Sequence, residues 1–140
     1  MGTEENIQLV KDAFDALRSG DLQALLASTA SDVEWIVPGE WALAGTHCGH
    51  AGLTALFKKA GDVVDISYPE PLEFIAQADR VVVVGFARGT VKATNKAFDD
   101  RFVFAITVRN GKVAKIREYI DTLALALASG TAENPRPGGA

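Results

Sequence analysis

A single cysteine, Cys48, excludes an internal disulfide and fits a reducing cytoplasm, which is the expected location. It reads as an incidental small residue rather than a nucleophile. Histidine is also scarce. His47 and His50 beside Cys48 fall short of a four-ligand set, so no metal site is expected. No Gly-rich phosphate loop follows a strand, and no nucleotide or other cofactor is expected. The 14 Lys and Arg residues are dispersed and outnumbered by 18 Asp and Glu, giving a net charge of −4. Without a basic stripe, nucleic acid is excluded as a partner. Apolar runs such as Val81–Val84 are too short for a transmembrane helix, so no membrane association is expected. The opening MGTEEN is acidic and runs straight into a helical pattern, so no secretory leader is expected there.

What is present is the ordinary balance of a soluble globular chain. Of its 140 residues, 48% are hydrophobic and 23% charged. The size predicts one domain, over residues 1–128, followed by a Gly/Pro-rich tail at 129–140 that is expected to be disordered.

The most informative stretch is Arg101 to Asp121, RFVFAITVRNGKVAKIREYID. Asn110-Gly111 between alternating apolar runs predicts a hairpin, because a two-residue type I′ turn needs φ > 0 at both positions. Counting outward pairs Val108 with Val113, Ile106 with Lys115, Phe104 with Arg117 and Phe102 with Tyr119. Side chains alternate along a strand, so Phe102, Phe104, Arg117, Tyr119 and Asp121 would share one face. Val103, Ala105, Ile116 and Glu118 would share the other. A face with two Phe, a Tyr, an Arg and a terminal carboxylate reads as a pocket wall.

Along the chain, Ile7, Val10, Phe14 and Leu17 predict a helix over 4–18, with Thr3 as N-cap and Gly20 as stop. Asp21 caps a short helix through Leu22, Leu25 and Leu26. Residues 32–37 read as a strand with Val33, Trp35 and Val37 on one side. Residues 38–49 read as a loop, whose Trp41 and His47 are candidate binding residues. A third helix spans 50–60, with Leu53, Leu56 and Phe57 inward. Strands follow near 63–68, 72–77, 80–91, 97–108 and 113–121, and a short helix, 123–128, closes the chain. A two-residue turn at Thr94-Asn95 would set Arg88 against Arg101; a bulge at Gly85 or Gly89, or a wider turn, would relieve that repulsion. Three N-terminal helices and then antiparallel strands predict an α+β fold, a cone whose strongly curved, mostly antiparallel sheet encloses a pocket.

Several stretches in this order resemble the nuclear-transport-factor-2-like superfamily, and most closely its SnoaL-like, ketosteroid-isomerase-related branch. They are SGDLQALLA followed by VEW.VPG, AGT..GHAGLTALF, FIAQADRVVV, RGTVKATNKAF and TVRNGKV..IREYIDT. The resemblance implies the same cone, and activities ranging from isomerase to cyclase, hydrolase or plain binding. The isomerase pattern would put its base near Val37, its tyrosine near Ala13 and its protonated aspartate near Val103, none of which carries that chemistry, so steroid isomerase activity is not expected. Glu40 would be a displaced base. The cyclase acid matches Asp121, while the cyclase histidine falls at Phe104. The Asp–Arg–Asp set of the epoxide hydrolases would need Asp121, one of Arg88, Arg101 or Arg117, and Asp99 or Asp100.

These readings converge on Asp121 as acid/base group, aided by Tyr119, Arg117 and His47; the same Asp121 also carries a helix-cap signature. Trp35, Trp41, Phe57, Arg88, Phe102 and Phe104 are the expected ligand contacts. The substrate class is a small apolar organic molecule, isomerised, cyclised or hydrated without cofactor; a non-catalytic binding or dimerisation module is the alternative. A homodimer is expected through the outer sheet face around Val103, Ala105 and Ile116.

Overall fold

The computed structural model describes residues 2–132. In chain order the elements are α1 (Thr3–Ser19), α2 (Leu22–Ala27), β1 (Thr29–Val37), β2 (Gly45–Cys48), α3 (Gly49–Val63), β3 (Val64–Ser67), β4 (Glu73–Gln77), β5 (Arg80–Val91), β6 (Lys96–Arg109), β7 (Lys112–Tyr119) and α4 (Thr122–Ser129). The seven strands form one strongly curled, half-barrel sheet in the order β2-β1-β7-β6-β5-β3, with β4 also on β5. All neighbours are antiparallel except β1 and β7. The helices do not stand as one N-terminal block of three: β1 and β2 separate α2 from α3, and α4 closes the chain.

Helix α1 follows its apolar spacing. Val10, Ala13, Phe14 and Ala16 are buried, and Gly20 ends the helix in the left-handed region at φ 69°. Its N-cap is Gly2 rather than Thr3, which lies inside the first turn. Phe14 stacks on Phe102 and tilts against Phe104, fixing the helix over the concave face of the sheet. Residues 45–48 depart from the expected loop. They pair with β1 from Val37↔Gly45 to Glu34↔Cys48, a short edge strand hidden among glycines.

The β5–β6 connection is the wider of the two turns considered. Residues 92–95 form a four-residue turn, so Arg88 faces Asp99, with 3.7 Å between charged groups, and Arg101 faces Phe86. No bulge interrupts this pair. Gly85 and Gly89 lie opposite Phe102 and Phe98 instead, and a Cβ on either would come within 2.7 Å of the facing ring. The glycines make room for the inward aromatics.

The hairpin turn matches its sequence signature, with φ 52° at Asn110 and 72° at Gly111. Beyond it the pairing slips. Val108 faces Val113, but Ile106 faces Ile116, Phe104 faces Glu118 and Val103 faces Tyr119. The shift falls between Thr107 and Val108 and absorbs one extra residue, so Val113 and Ala114 are both buried in succession. A one-residue slip exchanges every later side chain between faces. Ile116, Glu118 and Ile120 therefore point with Phe102 and Phe104, while Arg117 and Tyr119 turn outward. This corrects the expected face assignment, and Ile116 belongs to the core rather than to the outer surface.

Helix α4 runs one residue into the expected tail, through Ser129, and the Thr131 N–H donates to the Ala126 carbonyl. The rest of the expected tail, 133–140, lies outside the described residues. Among the described residues no helix is long and apolar enough to cross a membrane.

Candidate functional site

The curled sheet and the helices enclose a cavity of about 540 Å³. Its apolar wall draws on every layer: Leu17 from α1, Trp35 and Val37 from β1, Leu56 and Phe57 from α3, Phe98, Phe102 and Phe104 from β6, and Leu125 from α4. Trp41 and Leu43 reach it from the loop between β1 and β2. Few polar groups face this surface, and two of them are carboxyls on adjacent strands, Asp100 on β6 and Glu118 on β7.

Glu118 is placed by the register slip. It is half-buried and lines the cavity, and its Oε2 accepts a hydrogen bond from the Trp35 indole N–H at 2.5 Å. Burial pushes its carboxyl up to about 8, opposed by the Trp35 hydrogen bond and reinforced by the nearby charge of Asp100. A glutamic acid in this setting holds its proton at neutral pH and is poised to exchange it, which suits general acid or base work.

Asp100 is 4% exposed. Its Oδ1 accepts the backbone N–H of Asp121 at 2.8 Å. Burial raises its pKa, the Asp121 N–H lowers it, and the Asp121 carboxylate raises it again. Tyr68, just after β3, completes the polar set. Burial and then the charges of Glu118 and Asp100 push its hydroxyl well above the usual phenol range, so it remains a neutral donor. One acid near 8, a second buried acid and a neutral phenol share one apolar wall.

Several expected site residues lie elsewhere. Asp121 is the N-cap of α4, accepting from the Ala124 N–H at 2.9 Å, and does not line the cavity. Tyr119 is 56% exposed and Arg117 is exposed, both turned outward by the slip. His47 sits in the edge strand β2 with Nε2 2.9 Å from the Leu43 carbonyl oxygen, away from the cavity lining. Arg88 is on the outer face, over the Phe86 ring and beside Asp99. The aromatic contacts fare differently: Trp35, Trp41, Phe57, Phe102 and Phe104 all line the cavity.

The sequence did contain a signal for Glu118, which was missed, and for Asp100, which entered only as one option in the hydrolase set. Asp100 alternates in phase with Phe98, Phe102, Phe104 and Ile106, and Glu118 sits between Ile116 and Ile120. An acid in phase with an apolar stripe marks a carboxyl facing the interior. Tyr68 had no comparable mark.

Comparison with known proteins matches residues 10–116 to the SnoaL-like domain. The fold superposes on an NTF2-like protein from Burkholderia xenovorans LB400 with a TM-score of 0.87 and 64% identity, covering 92% of this chain and 98% of that one. It also superposes on TerC, co-crystallized with polyporic acid, with a TM-score of 0.78 and 30% identity over 90% of this chain and 98% of TerC. A protein of Mycobacterium tuberculosis is 29% identical over 119 residues, 85% of this chain and 91% of its own length.

Proposed function

The chain belongs to the SnoaL-like domain family, and we propose that it is a cofactor-independent enzyme of that family, moving a proton on a small, mostly apolar carbonyl compound with Glu118 as the acid/base group. The observation that carries this reading is Glu118 itself, a carboxyl held by the Trp35 N–H on the wall of a mostly apolar cavity. TerC, crystallized with an organic compound, supports a ligand of the same broad kind.

In this reading the ionised Glu118 takes a proton from the carbon beside a carbonyl, and negative charge builds on the carbonyl oxygen. The Tyr68 hydroxyl is the available donor for that oxygen, and the apolar surround strengthens it. Returning the proton from Glu118 to another position gives isomerisation; attack of the enolate on a second carbonyl gives cyclisation. The same carboxyl can serve hydration or hydrolysis by activating water.

One feature favours a binding module instead: Phe104, opposite Glu118, occupies the place of the histidine that the resemblance to cyclases implies. Deuterium exchange separates the two. Apolar ketones and diketones incubated with the protein in D₂O should lose their α-protons faster than in buffer, and Glu118→Gln should abolish the gain. Ligands that bind without accelerated exchange or any other turnover would establish the binding module.

The outer face presents Ile36, Ile75, Val82, Val103, Ala105 and Tyr119, half-buried or exposed. Pairing of two copies through this surface forms the second part of the proposal. Sedimentation should give a dimer at micromolar concentration, and a monomer there would exclude it.

A further inference from the structure

We infer that Arg18 is a specificity-determining residue that selects substrates carrying a carboxylate, or an equally acidic oxygen, at the end remote from the reacting carbon. The inference rests on the reading of the cavity as a substrate pocket and adds the class of molecule that fits it.

Among the described residues, Arg18 is the one cation that lines the cavity. It sits near the end of α1, at the rim where the cavity adjoins a smaller groove lined by Lys11, Asp15 and Glu70. Its guanidinium is held from two sides. Nε donates to the Tyr68 carbonyl oxygen at 3.1 Å, and Nη1 lies 3.3 Å from Glu70 and 3.5 Å from Asp15. Nη2 makes no hydrogen bond to the described residues. A guanidinium anchored through Nε and Nη1 is already oriented, so a ligand oxygen gains its hydrogen bond at little cost in side-chain entropy.

The two carboxylates beside it do not fill the same role. Asp15 and Glu70 are 72% and 78% exposed in their side chains, while Arg18 is 23% exposed. Pairs with such exposed acids are weak. A carboxylate bound inside the rim would be shielded from water and would make the stronger, charge-assisted bond. The inner wall argues for the same orientation. No other cation lines the cavity among the described residues, and none stands by Asp100 and Glu118, so an acidic group binds at the Arg18 rim and leaves the neutral carbonyl end to Glu118. Asp65, also on the rim, has its own cation, with Lys92 at 3.8 Å.

The test compares two probes of one shape, phenylhexanoate and the methyl ketone built on the same chain, by calorimetric titration of the full-length protein. The wild type should bind the acid more tightly than the ketone. Arg18→Gln should cost the acid about tenfold, the size of one lost charge-assisted hydrogen bond, and leave the ketone within about twofold. Arg18→Lys, which keeps the charge, should recover part of the acid's affinity. Equal loss of both probes in Arg18→Gln would make Arg18 a support for the Tyr68 loop and overturn the inference. So would equal affinity of the two probes for the wild type, a result that needs no variant to fold. Binding is read without turnover. A protein that prefers the acid through Arg18 yet exchanges no α-proton would refute the acid/base reading and leave this one standing.

Discussion

The Trp35 indole N–H and the Glu118 carboxyl meet at 2.5 Å across β1 and β7, the one parallel pair of strands among the described residues. Trp35 faces Ile116 in the register, so its ring reaches along β7 to the next inward residue, and it also packs edge-on against Phe104. The indole is both part of the apolar wall and the donor that stabilises ionised Glu118.

Trp35→Phe keeps an aromatic ring and removes the donor. Without it the Glu118 carboxyl should rise above about 8, by on the order of one pH unit, the worth of a hydrogen bond to a charged group. The pH profile of α-proton exchange should move to the alkaline side by the same amount. An unmoved profile would show that the indole does not govern the acid.

Stability should fall as the pH rises. The folded chain holds the Glu118 proton up to about pH 8, whereas an unfolded glutamate releases it near 4.5. Between these values the folded state binds more protons, so unfolding becomes easier with rising pH, by up to about 1.4 kcal/mol per unit from this group. The contribution is complete below pH 4.5 and lost above 8. Asp100 is shifted in the same direction and adds to the trend. Urea unfolding at several pH values should show the slope, and Glu118→Gln should flatten it.

Asp121 should behave as a helix cap. Asp121→Ala removes the acceptor for the Ala124 N–H and should lower stability by about 1 kcal/mol, whereas Asp121→Asn, which caps equally well, should cost little. Exchange per folded molecule should stay within about twofold in both. A large loss of exchange in the stable Asn variant would return Asp121 to the chemistry.

Much of the fold was legible because local chemistry and tertiary structure agree. The apolar spacing of α1, the Asn110-Gly111 turn, the inward set Val33, Trp35 and Val37, and the capping aspartates all act within a few residues of themselves. The site was less legible, because it depends on the slip in β7. Counting pairs from a correct turn assumes unbroken alternation, and the extra residue at Val113-Ala114 breaks it. The count then assigned Arg117, Tyr119 and Asp121 to the interior and Glu118 to the exterior, the reverse of the structure. The composition of the two alternating sets pointed the other way: Ile116, Glu118 and Ile120 hold two large aliphatics, while Arg117, Tyr119 and Asp121 hold none.

One strand glycine and one helix glycine offer a packing test. A Cβ at Gly89 would lie 2.5 Å from the Asp65 backbone oxygen, on the neighbouring strand β3. Backbone cannot yield as a side-chain tip can, so Gly89→Ala should cost about 1–3 kcal/mol. Gly61→Ala, in the last turn of α3 with open space around its Cβ, should be neutral or stabilising by up to about 1 kcal/mol. Thermal melts of the two variants should separate clearly.

The most direct test of the central claim is a carboxyl NMR titration of the wild-type protein, with Glu118→Gln to assign the resonance. A Glu118 midpoint near 8, shifting when an apolar ketone binds, is the predicted result. A midpoint in the ordinary glutamate range, unmoved by any ligand, would put the carboxyl in contact with water and contradict its role as the acid/base group of the cavity.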